Sequence, residues 1–329
     1  MLGRRRGGES VGVARGRGGR GRVIGSLSVS LTIVLVAATL AASASAAGYR
    51  TANFVIEAPT ERLARLIGDA AEQYRHTLAV EWTGRPLPRW SRPCPITAKV
   101  APHLGAGGAT SFVFDRGEVF NWTMTIQGSE ERILDSVLPH EITHTIFASH
   151  FRQPLPRWAD EGACTTVEHP VERARQHKML IEFLTTGRGI AFPEMFAMRE
   201  YPADVLPLYS QGYSLARYLI ERGGRHKYVS FVGDGLAGDD WAGALDRHYG
   251  VDDIATLQHI WLDWVKQGCP APPASLAAAA PPAAETWTPT ARGQSPDPLP
   301  ATRGPTPSRP VATSAARTSI YARAATVRR

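Results

Sequence analysis

Two histidines and a glutamate lie within a strongly apolar stretch of the chain. Residues 138–147 read LPHEITHTIF, so His140, Glu141 and His144 have the spacing H-E-x-x-H among leucine, isoleucine and phenylalanine. The pattern predicts a helix, on which residues four apart differ by about 40° in direction, and both imidazoles therefore project side by side. Burying two imidazoles and a carboxylate together is costly without partners, so the chain must fold around this helix with a cation or with satisfying backbone carbonyls.

These residue types favour a metal site over a packed core. Two imidazoles suit zinc, and Glu141, offset by about 100° from His140, lies beside the cation rather than on it. From there its carboxylate can take a proton from a water that the metal activates. The sequence predicts zinc ligands at His140 and His144 and a general base at Glu141.

A catalytic zinc takes a third protein ligand, and His150 follows His144 at the spacing of the metzincin motif. That motif needs a glycine where this chain has Phe147. A bulky residue is disfavoured in the left-handed turn, and on an unbroken helix His150 points about 240° away from His144. The geometry disfavours His150 as a ligand.

Residues 155–164, LPRWADEGAC, carry a resemblance to the gluzincins, the thermolysin-like metallopeptidases, and above all to their aminopeptidase branch. Trp158, Glu161 and Gly162 match its W-x-x-E-G signature, and the stretch also resembles bacterial peptidase MA-like proteins. The resemblance covers about residues 130–222 and implies that Glu161 is the third zinc ligand. Asp160 is an alternative ligand, or a partner that orients one histidine.

The same resemblance extends to YSQG at residues 209–212. It implies that Tyr209 donates a hydrogen bond to the oxyanion of a tetrahedral intermediate, with Tyr213 as the alternative. It also implies an edge strand, at residues 122–127, to which a peptide substrate adds. The G-x-M-x-N segment that binds a free amine in the aminopeptidases is missing, so exopeptidase action is not implied.

Periodicity predicts an α+β domain of one core over about residues 49–269. Extended segments are expected near 53–59, 95–101 and 111–127, the last broken by a turn at 115–117. A helix should begin at Thr60 and Glu61, and helices should dominate after residue 130. The resemblance specifies a small mixed sheet packed on a mostly helical, zincin-type domain.

The two ends of the chain differ from this domain. Residues 1–46 and 270–329 carry net charges of +6 and +5, which leaves −4 on residues 47–269 out of +7 overall. The basic charge therefore belongs to the ends, and no nucleic-acid partner is predicted. An arginine-rich start, an apolar run over 23–43 and small residues at 44–46 predict an export signal or, as the alternative, an uncleaved membrane anchor. The Pro/Ala-rich tail from residue 270 cannot form a core and is expected to be disordered.

Three cysteines in an exported chain allow one disulfide, and Cys94 with Cys269 would join the two ends of the domain. Cys164 is expected to be a small buried packing residue. Together the patterns predict an exported zinc-dependent hydrolase, with the resemblance implying a peptide or protein substrate. The alternative is a non-catalytic zinc-binding module of the cell envelope.

Overall fold

The computed structural model describes residues 47–198 and 200–271. Their fold is α+β, as the sequence predicts: one mixed five-stranded sheet carries helices that make up most of the domain. The strands are β1 (Ala47–Arg50), β2 (Phe54–Ala58), β3 (Cys94–Val100), β4 (Gly107–Asp115) and β5 (Glu118–Gly128). The predicted export segment and nearly all of the tail lie outside the described residues.

The sheet has the strand order β1-β2-β3-β5-β4. The strands β2, β3 and β5 run parallel, while β1 and β4 pair antiparallel on the two outer sides. Helix α1 (Glu61–Thr83) connects β2 to β3 and begins where predicted, because the Thr60 side chain accepts a hydrogen bond from the Leu63 N–H. Gly84, at φ 76°, ends it in the left-handed conformation.

The strand at the sheet edge is not the one predicted. Residues 122–127 belong to β5, which is paired on both sides, whereas β4 is the edge strand beyond it. The error came from assuming that the strand nearest the H-E-x-x-H helix in sequence is also outermost. The predicted turn is confirmed: Arg116 and Gly117 both have positive φ and form a two-residue hairpin loop, which lets β4 fold back outside β5.

The helix that carries the H-E-x-x-H motif is continuous with a wider turn before it. A short helix α2 (Glu130–Arg132) and a π-helical turn (Ile133–Val137) lead into α3 (Leu138–Phe151). The Leu138 N–H bonds to Ile133 O, five residues back. Pro139 lacks an N–H and crowds the preceding turn of a regular α-helix, and the wider turn accommodates it without breaking the helix.

The remaining helices pack on α3 and on one another. They are α4 (Arg157–Thr166), α5 (Pro170–Thr185), α6 (Phe192–Ala197), α7 (Leu206–Gly238), α8 (Trp241–Tyr249) and α9 (Ile254–Lys266). Gly224, at φ 77° and ψ 170°, kinks α7. None of the helices in the described ranges has the length and apolarity needed to span a bilayer.

Two glycines let α4 and α7 cross in backbone contact. A Cβ on Gly162 would lie 2.2 Å from Gly212 O, and a Cβ on Gly212 would lie 2.8 Å from Trp158 O. Neither distance is sterically tolerable, so both positions require glycine. Gly162 directly follows Glu161, and Gly212 lies three residues after Tyr209. These two glycines therefore set how closely α4 and α7 approach each other.

The predicted disulfide is not formed. Cys94, Cys164 and Cys269 are free and buried in the described part of the chain. Cys94 starts β3 in the sheet, whereas Cys269 follows α9 and its carbonyl accepts a hydrogen bond from Arg217 on α7. The two ends of the domain in sequence therefore belong to different parts of the fold.

Candidate metal centre

Helices α3 and α4 bring the three predicted ligands together in the interior. His140 Nε2 lies 3.4 Å from Glu161 Oε2, and His144 Nε2 lies 3.7 Å from the same oxygen. Ligand atoms on a tetrahedral zinc with bonds of about 2.1 Å are themselves about 3.4 Å apart. The three side chains are at most 4% exposed, so these atoms converge on a small site away from bulk water.

The opposite edge of each imidazole is held by a carboxylate. His140 Nδ1 lies 2.7 Å from Glu168 Oε1, and His144 Nδ1 lies 2.9 Å from Asp160 Oδ1. A carboxylate at Nδ1 places the ring proton there, which leaves Nε2 with its lone pair for a metal. Asp160 therefore matches the orienting role foreseen as one alternative, whereas Glu168 was missed.

Cys164 also lies in this cluster. His140, His144 and Cys164 offer ligand atoms that all lie within 4.8 Å of one another, so this buried group could hold a metal ion. However, Cys164 Sγ is 3.3 Å from His144 Nδ1, on the ring edge that Asp160 occupies. The Nε2 edge faces Glu161 instead. The geometry favours Glu161 over Cys164 as the third ligand.

The cluster contains more buried carboxylates than imidazoles. Four buried carboxylates, those of Glu141, Asp160, Glu161 and Glu168, surround two imidazoles. Burial by itself lowers the pKa of His140, but hydrogen bonds to Glu161 and Glu168 outweigh it and hold the pKa well above its usual value. The pKa of His144 is raised in the same way, against burial, chiefly by Asp160 and Glu161. Both histidines therefore attract positive charge, whether as protons or as a metal.

Glu141 points from α3 toward the edge strand β4. Its Oε2 accepts a hydrogen bond of 2.6 Å from the Thr110 hydroxyl. Its Oε1 has no hydrogen-bond partner in the described structure and lies against Gly108, where a Cβ would approach it to 2.5 Å. Burial raises the pKa of Glu141, while the two histidines oppose this shift. One carboxylate oxygen is thus anchored and the other is left for a proton.

The second oxygen of Glu161 is held by a tyrosine that the sequence analysis did not identify. The Tyr201 hydroxyl donates a hydrogen bond to Glu161 Oε1, and the Arg157 guanidinium lies 4.1 Å from the Tyr201 ring centroid. Oε1 is therefore occupied, which leaves Oε2 to face the histidines. Tyr201 lies in an irregular segment between α6 and α7 and belongs to no motif, so no sequence signal marks it.

The two tyrosines considered for the oxyanion differ in their surroundings. Tyr209 is buried in the first turn of α7 and stacks on Tyr201, with ring centroids 6.4 Å apart. Tyr213 lines a cavity of about 310 Å³ together with Arg173 and Arg217. Tyr209 is therefore the tyrosine that contacts Tyr201, which donates a hydrogen bond to Glu161.

His150 has no part in this cluster. Helix α3 continues without a break through Phe147, and His150 lies near its C-terminal end beside Phe151. The geometric argument against His150 as a ligand holds.

Comparison with known proteins found no relatives of this chain: no protein-family model matches it, and no curated protein matches it either.

Proposed function

We propose that the chain is a zinc-dependent hydrolase, with zinc held by His140, His144 and Glu161. The observation that carries the proposal is the convergence of His140 Nε2, His144 Nε2 and Glu161 Oε2 at tetrahedral spacing. Each of the three groups is also anchored through its other polar atom, by Glu168, Asp160 and Tyr201. A preorganised set of this kind, with three protein ligands, leaves a position for water and is typical of catalytic zinc.

Zinc bound there would supply a Lewis acid that activates water at neutral pH. Glu141 accepts the proton from the attacking water through Oε1, since Thr110 holds Oε2 in place. It then delivers that proton to the leaving group. Tyr209 is the proposed donor to the oxyanion.

We further propose that the substrate is a peptide or protein and that the enzyme is exported. The peptide assignment depends on the gluzincin resemblance of residues 140–144, 158–162 and 209–212. It is compatible with an edge strand next to Glu141, because an extended peptide can pair with the unpaired side of β4. Export depends on the arginine-rich and apolar segment before residue 47, which either is cleaved or anchors the protein to a membrane.

A comparison of wild type with Glu141→Gln tests the catalytic proposal. Both proteins are loaded with zinc and incubated with a diverse peptide library, and cleavage is read by mass spectrometry. We expect Glu141→Gln to retain one zinc and to lose about 10²- to 10⁴-fold in rate, the usual contribution of a general base. Full activity in Glu141→Gln would contradict the mechanism, and a wild type that binds zinc but cleaves nothing would favour the non-catalytic alternative.

A further inference from the structure

A cleft separate from the metal centre lies at the C-terminal end of α3. It has a volume of about 670 Å³, in the range of small-molecule sites. Its walls come from the C-terminal half of α1, the loop that follows α1, the start of β5 and the end of α3. The lining residues on which the argument depends are Arg75, Arg85, Arg89, Trp90, His150 and Arg152.

Arg75 is a buried cation that forms no direct ion pair with a carboxylate in the described residues. Its side chain is 5% exposed, and its two terminal nitrogens donate only to backbone carbonyls, Nη1 to Leu87 O at 3.3 Å and Nη2 to Pro88 O at 2.5 Å. Its Nε has no hydrogen-bond partner in the described ranges. Burial lowers the pKa of Arg75 to about 10, and the nearby Glu72 carboxylate offsets this shift only in part.

The whole cleft has an excess of positive charge. Four arginines line it, and Glu118 is the one carboxylate among the lining residues. That carboxylate lies 3.2 Å from Arg152. Within residues 47–198 and 200–271, Arg85 and Arg89 form no ion pair, and Arg89 Nε donates to Ala52 O. Three of the lining arginines, Arg75, Arg85 and Arg89, therefore have no ion-paired carboxylate among the described residues.

Aromatic rings form an apolar wall beside these charges. Trp90 and Trp122 both line the cleft and stack on each other, with centroids 4.8 Å apart and planes at 24°. The Arg75 guanidinium lies 4.3 Å from the Trp90 ring centroid. Because Trp122 and Arg75 both lie on Trp90, these rings offer the cleft apolar surface beside guanidiniums that have no ion-paired carboxylate, and this combination suits a ligand with an apolar part and an oxyanion.

The cleft is separate from the metal centre. His150 follows His144 by six residues, which is about 9 Å along the helix and about 240° around it. Neither the proposed zinc ligands nor Glu141 line the cleft. A ligand there would bind independently of the zinc chemistry.

We propose that this cleft binds a small organic anion whose carboxylate or phosphate group pairs with the guanidiniums of Arg75, Arg85 and Arg89, while its apolar part contacts the wall formed by Trp90 and Trp122. Arginine forks match carboxylate and phosphate oxygens bidentately. The volume leaves room for a ligand larger than an inorganic ion, and we expect the oxyanion to be carried on such a molecule.

Calorimetric titration of the zinc-loaded full chain tests this proposal. Benzoate and phenyl phosphate represent the two oxyanion sources, and benzamide is the neutral analogue. We expect at least one of the two anions to bind, benzamide to bind at least about 10-fold more weakly, and Arg85→Gln to weaken the anion by about 10-fold or more. The stronger of the two anions identifies the source.

Arg247→Gln is the matched control, because it removes the same charge from an exposed position on α8. It should leave the affinity unchanged. Arg75→Lys retains the charge but loses the planar fork, and it should weaken binding while keeping the domain folded. Absence of binding by both anions at millimolar concentration, or equal binding to Arg85→Gln and Arg247→Gln, would overturn the proposal.

Discussion

At the scale of single residues, Glu161 and Cys164 are rival ligands one helical turn apart on α4. Both are fully buried, and both lie next to His144. They differ in which edge of the imidazole they face, and only Glu161 faces the Nε2 atoms of both histidines. The difference is directly testable.

Glu161→Ala should abolish stoichiometric zinc, because it removes the oxygen on which both Nε2 atoms converge. Cys164→Ala should retain about one zinc per chain, since the Cys164 sulfur lies at the Nδ1 edge of His144 and not at the Nε2 edge that faces Glu161. Elemental analysis of the dialysed proteins measures both. Zinc that disappears in Cys164→Ala but persists in Glu161→Ala would show that the ligand set is His140, His144 and Cys164.

Protons and zinc compete for the same two imidazoles. The raised pKa values of His140 and His144 mean that both rings keep their protons to a higher pH than an ordinary imidazole in the metal-free protein. Zinc binding at about pH 6.5, the usual pKa of histidine, should therefore release protons from the two rings. The apparent affinity should keep rising with pH above 6.5, because the histidines lose their protons only as the pH passes their raised pKa values.

Titration of zinc in buffers of different ionisation enthalpy counts the released protons. A release near zero at about pH 6.5 would mean that the imidazoles are already neutral there, and that the four carboxylates do not raise the pKa values of the two histidines in the absence of metal.

At the scale of elements, the crossing of α4 and α7 is the most constrained contact near the site. Gly162→Ala should destabilise the domain by ~3 kcal/mol or more, because the new methyl group would lie 2.2 Å from Gly212 O and the helices must separate. For a domain of this size that corresponds to a fall in Tm of roughly 6–12 °C. Differential scanning calorimetry measures it.

Gly233→Ala is the control within α7. The nearest atom to its added Cβ would be Phe151 Cε1 at 3.8 Å, an ordinary contact. This substitution should leave Tm unchanged or raise it slightly, because alanine has a higher helix propensity than glycine. Equal Tm values for the two variants would show that the backbone crossing is not tightly packed.

Local signals account for the elements that the sequence predicted well. The Thr60 cap, the turn at residues 115–117 and the H-E-x-x-H spacing each involve residues within a few positions of one another. The features that were missed or wrong depend on distant pairs. Thr110 contacts Glu141 across 31 residues, and Tyr201 contacts Glu161 across 40.

Strand order has the same limitation. Whether β4 or β5 is outermost depends on which of them pairs with β3, and a single sequence contains no direct record of that pairing. Glu168 is a different case, because it lies just past α4, the helix that carries the predicted ligand Glu161. A search for carboxylates near the ligand helices could have found it.

At the scale of the whole molecule, the four buried carboxylates should make the stability of the domain depend on the proposed zinc. Zinc at 100 times its dissociation constant should add ~2.7 kcal/mol to the free energy of unfolding. That corresponds to a rise in Tm of roughly 5–11 °C, which a chelator should reverse. Thermal scans of the zinc-loaded and the chelated protein measure the difference. An unchanged Tm would indicate that the cluster does not bind zinc in the folded state.

The backbone contact between Gly162 and Gly212 also bears on motion. No side chain lies between α4 and α7 at this point, so no rotamer change can alter their separation. The helix that carries Glu161 and the helix that carries Tyr209 should move as one rigid body. Relative motion at the site would then take place between α3 and the pair formed by α4 and α7. Such a motion would change the distance from Glu161 to the two histidines before it changed the distance from Glu161 to Tyr209.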